Sequence, residues 1–305
     1  MSYLAENLEL IRSTRIHNMS VEEVVAADTN LESKFHRSKG VWWREVKPFF
    51  YQPAAFMTPI TPHEMAPAPY VAIGGYYHVV PDGCNRNGSI TVNEIADPAQ
   101  YDLDRLRKGV RYSIRRALTT LQLGRVKSLE TFLGDGHRIY SRWEEKFKDL
   151  RVKRSDPKVF RAWGTRLLAH PHKLILGAFD GDRLVAYIIA HAIEGVGELS
   201  KAFTDPEYYQ LTPASALTYS YVKICGNNPQ VGRACNGLRS LNVSLEQYKV
   251  SIGFRPVSYP AYISIPAPIR PLVRRFFPAQ YRRLMGQYEA ESNGAAGAER
   301  VEVAN

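Results

Sequence analysis

Residues 201–217 read Lys201-Ala202-Phe203-Thr204-Asp205-Pro206-Glu207-Tyr208-Tyr209-Gln210-Leu211-Thr212-Pro213-Ala214-Ser215-Ala216-Leu217, and the fold turns on how they are read. The run up to Thr204 has the texture of a strand end, and Asp205 with Pro206 opens a loop. Pro213 suits the first turn of a helix, where a missing N–H costs nothing. The free N–H groups of such a helix start, together with the positive end of its dipole, can hold a pyrophosphate without a basic side chain. Most helix starts bind nothing, so the rest of the chain has to support this reading.

A second stretch lies downstream: Asn242-Val243-Ser244-Leu245-Glu246-Gln247-Tyr248-Lys249-Val250-Ser251-Ile252-Gly253-Phe254. Asn242 suits a helix start and Gly253 a helix end. Leu245, Tyr248 and Ile252 share one face, and Lys249 lies on the edge of that stripe, four residues after Leu245 and three before Ile252. A lysine leaning into an apolar face either snorkels or is held there for a purpose.

Working outward, residues 174–179 and 184–190 are strand-like and flank Asp180-Gly181-Asp182, a hairpin signal. A further strand is expected over 197–204, a helix from about Pro213, a strand over 231–238, a helix over 243–252 and a strand over 254–265. A basic aromatic helix over 267–287 closes the pattern, and residues 289–305 read as a disordered tail. Upstream, Leu103, Leu106, Val110, Ile114 and Leu118 recur at helical spacing from Asp102 onward. The other faces of that helix carry Arg105, Arg107, Lys108, Arg111, Arg115 and Arg116, with no acid among them. A strand at 124–126 and helices over 129–148 and 157–169 follow. Residues 1–99 form a β-rich N-terminal region, with strand-formers at 41–46, 49–51, 70–73, 76–80 and 90–92 broken by prolines. Before them, Ser20 and Glu23 make a capping-box pair that starts a short helix over 21–27.

In this order and at this separation, the two quoted stretches resemble the acyl-CoA-binding half of the GNAT acetyltransferase superfamily. There a strand leads into a loop reading Arg/Gln-x-x-Gly-x-Gly/Ala and then a helix whose start cradles the cofactor pyrophosphate. Asp205-Pro206-Glu207-Tyr208 matches the common lead-in, Tyr209 falls at the Arg/Gln position, Thr212 at the first glycine and Ala214 at Gly/Ala. Tyr209 and Thr212 depart from that pattern. In the later motif Asn242 and Gly253-Phe254 keep their spacing, while Lys249 stands where a tyrosine often reprotonates the leaving thiolate. A lysine there, within Tyr-Lys-x-x-x-Gly-Phe, together with the Arg-rich helix from Arg105, resembles the Fem-type peptidoglycan aminoacyl transferases. Fem-type proteins carry two GNAT-like domains. The resemblance implies an α+β fold with a mixed, mainly antiparallel sheet flanked by helices and a β-rich N-terminal extension. Residues 100–288 would be the catalytic domain, and 1–99 a shortened GNAT-like half.

The resemblance also implies the chemistry, transfer of an acyl group from acetyl-CoA or another acyl-CoA to a small-molecule amine or peptide. An aminoacyl-tRNA donor is the alternative, and a non-catalytic basic binding protein of the same fold is a third reading. Ala202, Phe203, Tyr209, Thr212, Ala214 and Ser215 are the expected cofactor contacts. Lys249 is expected to stabilise the oxyanion or protonate the leaving group. Glu198, on the strand bordering the cleft, is a candidate base or a solvent-facing residue. Asn236 is a substrate contact or a turn residue before Gly237. His191 reads as a buried structural histidine ahead of a base, and His170 and His172, flanking Pro171, as loop residues.

Composition narrows the field. A chain of 305 residues suits about two domains. Hydrophobic residues at 45% and charged residues at 23% allow an ordinary packed core. The formal net charge of +10 points to a phosphate-bearing partner, whether nucleic acid, nucleotide-like cofactor or membrane. No window approaches the roughly 18 apolar residues of a membrane span and the start is polar, so a cytoplasmic location is expected. Cys84, Cys225 and Cys235 show no ligand spacing and read as reduced thiols without a metal. His63-Glu64-Met65-Ala66-Pro67 has proline where a zinc-protease motif needs its second histidine. Hydrolase, P-loop and dinucleotide fingerprints do not occur.

Overall fold

The computed structural model describes residues 2–29, 33–61, 73–146, 156–240 and 242–276, with Pro278 and Tyr281. In chain order it contains α1 (Leu4–Ser13), β1 (Asn18–Met19), α2 (Val21–Asp28), β2 (Phe35–Ser38), β3 (Val41–Lys47), β4 (Phe50–Pro53), β5 (Gly75–Val79) and β6 (Gly88–Ile95). Next come α3 (Lys108–Thr120), β7 (Gln122–Arg125), α4 (Leu129–Thr131), α5 (His137–Lys146) and α6 (Pro157–Ala169). The chain continues through β8 (Leu174–Asp180), β9 (Arg183–Ile193), β10 (Val196–Thr204), α7 (Pro213–Gly226), β11 (Arg233–Leu238), α8 (Val243–Ser251), β12 (Arg255–Ser264) and α9 (Arg270–Phe276). Contacts gather residues 1–31 and 93–256 into one unit, and 32–92 with 257–305 into another.

That grouping differs from a cut at residue 99, for a reason that lies outside local sequence pattern. The side chain of Asn7, on α1, donates to the carbonyls of Leu118 (2.7 Å) and Leu121 (2.8 Å) and accepts from the N–H of Leu123 (2.7 Å). One buried amide thus satisfies the end of α3 and the start of β7. Strand β1 runs parallel to β9, with Asn18 opposite Ala192. The first 29 residues therefore belong with the helix-and-sheet unit. Asn7→Ala is expected to lower stability by about 2 kcal/mol, since three main-chain groups lose their partner in a closed site; chemical denaturation measures it.

In that first unit β7, β8, β9 and β10 form an antiparallel run, and β11 joins β10 in parallel. Strand β9 is the centre, buried from Leu184 to Ile193. Successive strand residues point to opposite faces, and both are covered here. Ile188, Ala190 and Ala192 pack with Ile114, Leu118, Leu217 and Val222 from α3 and α7. Tyr187 and Ile189 pack with Ile139, Tyr140, Phe160 and Leu167 from α5 and α6. The hairpin turn is as the sequence signals, with Gly181 at φ +57°.

Two helices depart from their sequence reading. The pattern from Asp102 does not enter α3 directly, because the Asp102 side chain accepts from the N–H of Asp104 (3.0 Å) and starts a separate 3₁₀ turn, Leu103–Arg105. Leu106 is then extended at ψ 155°, and α3 begins at Lys108. The stripe expected over 129–148 is interrupted by a π-helical turn at Phe132–Gly136. The Ser20–Glu23 capping box forms as expected and starts α2.

In the second unit β2, β3 and β4 are antiparallel neighbours, β4 pairs in parallel with β5, and β5 pairs antiparallel with β12. Trp43 is fully buried there, edge-on to Tyr76 at 5.4 Å and to His78 at 6.0 Å. The β-rich expectation holds for these residues. Residues 70–72, residues 277, 279, 280 and 282–287 of the helix expected over 267–287, and the tail at 289–305 lie outside the described residues, while α9 covers Arg270–Phe276. Among the described residues no helix is long and apolar enough to cross a membrane. The three cysteines carry free thiols.

Candidate functional site

Strands β10 and β11 share three register pairs, Val196–Arg233, Gly197–Ala234 and Glu198–Cys235. Beyond Glu198 no pair joins them among the described residues, while β10 continues along β9 as far as Thr204 opposite Ala186. The two strands are thus paired at one end only. A register shift falls between Leu199 and Lys201. A bulge of this kind bends the strand and re-aims its side chains, and leaves Ser200, Lys201 and Ala202 exposed. A strand edge offers main-chain donors and acceptors to an extended ligand. Helix α7 packs tightly at the joined end, where a Cβ on Gly197 would lie 2.5 Å from the Cys225 sulfur. Only glycine fits there.

The helix after this strand opens at Pro213, as the sequence predicts. Its N-cap Thr212 has φ 49° and ψ 45°, and its side chain does not cap the helix. Its hydroxyl instead donates to the carbonyl of Ser113 on α3, at 3.4 Å. A β-branched residue in the left-handed region is uncommon, and glycine enters it freely. The backbone path expected of a glycine is therefore kept by a threonine. Ala214 is half-buried, Ser215 buried and Tyr209 exposed.

Asp205 holds the approach to that opening. It is fully buried and accepts from Arg138, from Arg142 at 2.8 Å and from Arg183 at 3.3 Å. Arg142 and Arg183 also pair with Glu207, at 2.8 and 3.2 Å. Burial alone would push the Asp205 carboxyl up, but the hydrogen bonds from Arg138 and Arg142 outweigh it and hold it below its ordinary value. Three arginines from α5 and the start of β9 thereby fix the loop between β10 and α7.

Lys249 is buried, at 5% exposure, so its ammonium is not in bulk water. It donates to the carbonyl of Leu238, at the end of β11, over 3.1 Å and lies 3.4 Å from Glu246. Glu246 in turn accepts from the Asn93 amide at 3.1 and 2.9 Å. The lysine therefore ties α8 to the strand end. Lys249→Met is expected to lower stability by about 2 kcal/mol, read as a fall in melting temperature, because Leu238 and Glu246 lose a shared partner. Tyr248, the residue before it, reaches α7. Its hydroxyl lies 3.4 Å from Thr218 Oγ1 and within hydrogen-bonding reach of Ser215. Desolvation raises this phenol above its ordinary value, so it stays protonated at neutral pH.

Glu198 and His191 are register partners on β10 and β9, with Glu198 Oε2 at 3.4 Å from His191 Nε2. The other imidazole nitrogen, Nδ1, lies 3.0 Å from the Ser200 hydroxyl. The carboxylate, imidazole and exposed hydroxyl thus form a continuous polar row at the point where β10 leaves β11. Asn236 is half-buried on β11, next to Gly237 at φ +65°. The Phe203 side chain packs in the core against Tyr140, Trp143 and Tyr187, with ring centroids 5.2, 5.1 and 5.0 Å away. That leaves only its main chain for a ligand, whereas Ala202 is exposed.

Around the parting strands the structure brings together Glu198, Ala202, Phe203 and Asn236, and at the α7 opening Thr212, Ala214 and Ser215. Five contributing residues escaped the sequence reading. Ser200 enters through the bulge, which carries no sequence signal, and the arginines holding Asp205 come from elements far apart in the chain. Tyr248 immediately precedes Lys249, and helical spacing alone does not reveal its hydroxyl partners on α7.

No protein-family model and no curated protein sequence matches this chain. Solved structures do. The chain is similar to FemX, with a TM-score of 0.52 at 9% identity over 89% of this chain and 98% of that one. It is similar to the C-terminal domain (DUF2156) of a putative lysylphosphatidylglycerol synthetase from Agrobacterium fabrum, with a TM-score of 0.52 at 11% identity over 88% and 97%. A conserved protein of unknown function from Bacteroides thetaiotaomicron gives 0.50 at 9% identity over 86% and 97%. The fold is like that of FemX and of the synthetase's C-terminal domain.

Proposed function

We infer that this chain is an N-acyltransferase that moves an acyl group from an acyl-CoA donor to an amine on a small molecule or peptide. The observation that carries this reading is the parting of β10 and β11 after Glu198, beside a helix that opens at left-handed Thr212. The donor's pyrophosphate would lie on the α7 N–H groups, near Ala214 and Ser215, with Tyr209 and Thr212 at the rim. Its amide-bearing arm would run along β10 at Ala202 and Phe203, bringing the thioester to the strands' parting point.

The acceptor arrives as an ammonium and must lose a proton before it attacks. Glu198 takes that proton, with His191 and Ser200 beside it as the path. The amine nitrogen then bonds to the thioester carbon, the C–S bond breaks, the thiolate takes a proton from the Tyr248 hydroxyl, and the second proton that the nitrogen sheds on becoming an amide restores that phenol. Asn236 and Lys249 belong to the β11 side of the gap. The first is assigned a contact to the acceptor, and the second, held by Glu246 and the Leu238 carbonyl, is assigned the positioning of the β11 end rather than a direct contact to the oxyanion. We assign the reaction to the cytoplasm, and as proposed it calls for no metal in its chemistry.

One observation favours a second donor, an aminoacyl-tRNA. Helix α3 meets the α7 opening through Ser113, and the stretch from Arg105 to Arg116, which leads into and forms its first turns, is strongly basic. Arg111 and Arg115 pair with Asp104, while Arg107, Lys108 and Arg116 have no acidic partner among the described residues. Those charges suit a phosphate backbone.

Thermal-shift and calorimetric titration with coenzyme A and with bulk tRNA, each at low and high salt, tests the assignment. A rise in melting temperature with coenzyme A supports the first donor. Binding of tRNA that weakens steeply with salt, without a coenzyme A response, moves the assignment to the second. Absence of both leaves a basic binding protein of the same fold and removes the enzymatic reading.

A further inference from the structure

We propose that His17, Glu23 and His172 form a binding site for one divalent transition-metal ion, zinc being the ion their donors suit best. One ligand atom from each of the three lies within 4.8 Å of the others. His17 Nε2 is 3.0 Å from Glu23 Oε1, and the His17 and His172 rings stack with centroids 4.2 Å apart. Four-coordinate zinc, with bonds of about 2.0–2.1 Å to nitrogen and oxygen, needs its ligands a little over 3 Å apart. One pair already meets that spacing. Small rotations of the exposed His17 and of His172 would bring the remaining pairs in from within 4.8 Å.

The three donors come from segments remote in sequence, and each is held by its own device. Glu23 is the third residue of α2, and its Oε2 accepts from the Ser20 N–H at 2.8 Å as half of the capping box. That bond turns Oε1 outward, toward His17. His172 lies in the loop before β8, and both of its flanks are fastened to the far end of the same helix. Asp28 lies 3.1 Å from His170 Nε2 and 2.8 Å from Lys173 Nζ, and the His172 N–H donates to His170 Nδ1 at 3.2 Å. His17 precedes β1, which pairing with β9 and the Gly195 N–H bond to Asn18 (2.8 Å) hold in register. One helix therefore supplies a ligand from its first turn and a clamp for the second ligand from its last.

The donor set chooses the ion. Two imidazoles and one carboxylate are borderline-soft nitrogen and oxygen donors, suited to zinc, cobalt or nickel and poor for magnesium or calcium. Three protein ligands leave a fourth position for water. Bound there, the ion would join α2, the lead-in to β1 and the 170–173 loop, all within one unit. The cysteine spacing that argues against a metal does not bear on this cluster, since none of its members is a cysteine.

The test uses the full, untagged chain, freed of metal with a chelator and titrated with zinc chloride by calorimetry and with cobalt(II) by visible absorption. One equivalent should bind, raise the melting temperature, and give cobalt ligand-field bands without a thiolate charge-transfer band. Glu23→Gln keeps the cap, because glutamine serves equally at that position, and should weaken binding at least tenfold. His17→Ala, at an exposed position, and His172→Ala should do the same, with the metal-free melting temperature of His17→Ala unchanged. Failure of the wild-type chain to bind one equivalent, retention of affinity in Glu23→Gln and His17→Ala, or a thiolate band implicating cysteine would each overturn the site.

Discussion

Asp205→Ala is expected to lower folding stability by about 3 kcal/mol and to abolish donor binding at the opening of α7. Removing one partner of a buried ion pair costs about 3–5 kcal/mol. The lower end applies because the arginines left behind are not sealed in, their side chains being 26%, 37% and 42% exposed for Arg138, Arg142 and Arg183. Asp205 itself is fully buried and also starts the short turn at Pro206–Leu211 that delivers Thr212. Without it, the loop between β10 and α7 loses the anchor that sets its course. Acid should erase the difference between wild type and variant. The folded-state carboxyl is held below its ordinary value, so its contribution is present above the unfolded value of about 4. It is lost as pH falls from there through the folded value. Urea unfolding of both proteins at neutral pH and at successively lower pH should show the wild-type curve descending toward the variant's. Equal stabilities at neutral pH would show that the arginines hold nothing in place.

Glu198→Gln is expected to reduce kcat by about 10²–10⁴, the range that general-base catalysis supplies, while leaving the melting temperature almost unmoved. Glutamine keeps the shape of the side chain and an acceptor for His191, so the packing between β9 and β10 survives. What it removes is the ability to take a proton. The variant's rate should therefore recover with rising pH as more of the amine loses its proton without help. Ser200→Ala should cause a smaller loss, because the hydroxyl extends the path without receiving the proton first. A variant with wild-type kcat would take Glu198 out of the chemistry and leave it as the histidine's ion-pair partner.

The elements were largely legible because their signals are local. Proline at the start of α7, the Asp180–Gly181–Asp182 turn, the Ser20–Glu23 box and the Asn242–Gly253 pair each mark a boundary that the structure keeps. Helical spacing also brought Lys249 to notice, but spacing cannot tell which neighbour a side chain meets. Glu246, one turn earlier on the same helix, and the carbonyl of Leu238 take up the ammonium. The start of α3 failed for the opposite reason. Its apolar stripe runs on through Leu103 and Leu106, which are buried, while Asp102 diverts the main chain into a different turn. Burial pattern and backbone pattern agree in most helices, and here they separate. The docking of residues 2–29 with the remote sheet draws on Asn7, the two-residue strand β1, the buried Ile11 and Ile16, and the side chains of Asn227 and Asn228, signals too scattered along the chain to read from periodicity.

The ring of Phe203 reaches into the layer beneath β10 and meets Trp143 edge-on, while Trp163 stands in the same group against Phe160. Whatever strains or straightens that strand edge is thereby relayed to an indole on the other side of it. The protein carries its own optical probe. The emission of Trp143, isolated by replacing the other three tryptophans with phenylalanine, would follow occupancy in real time without a label or a coupled assay.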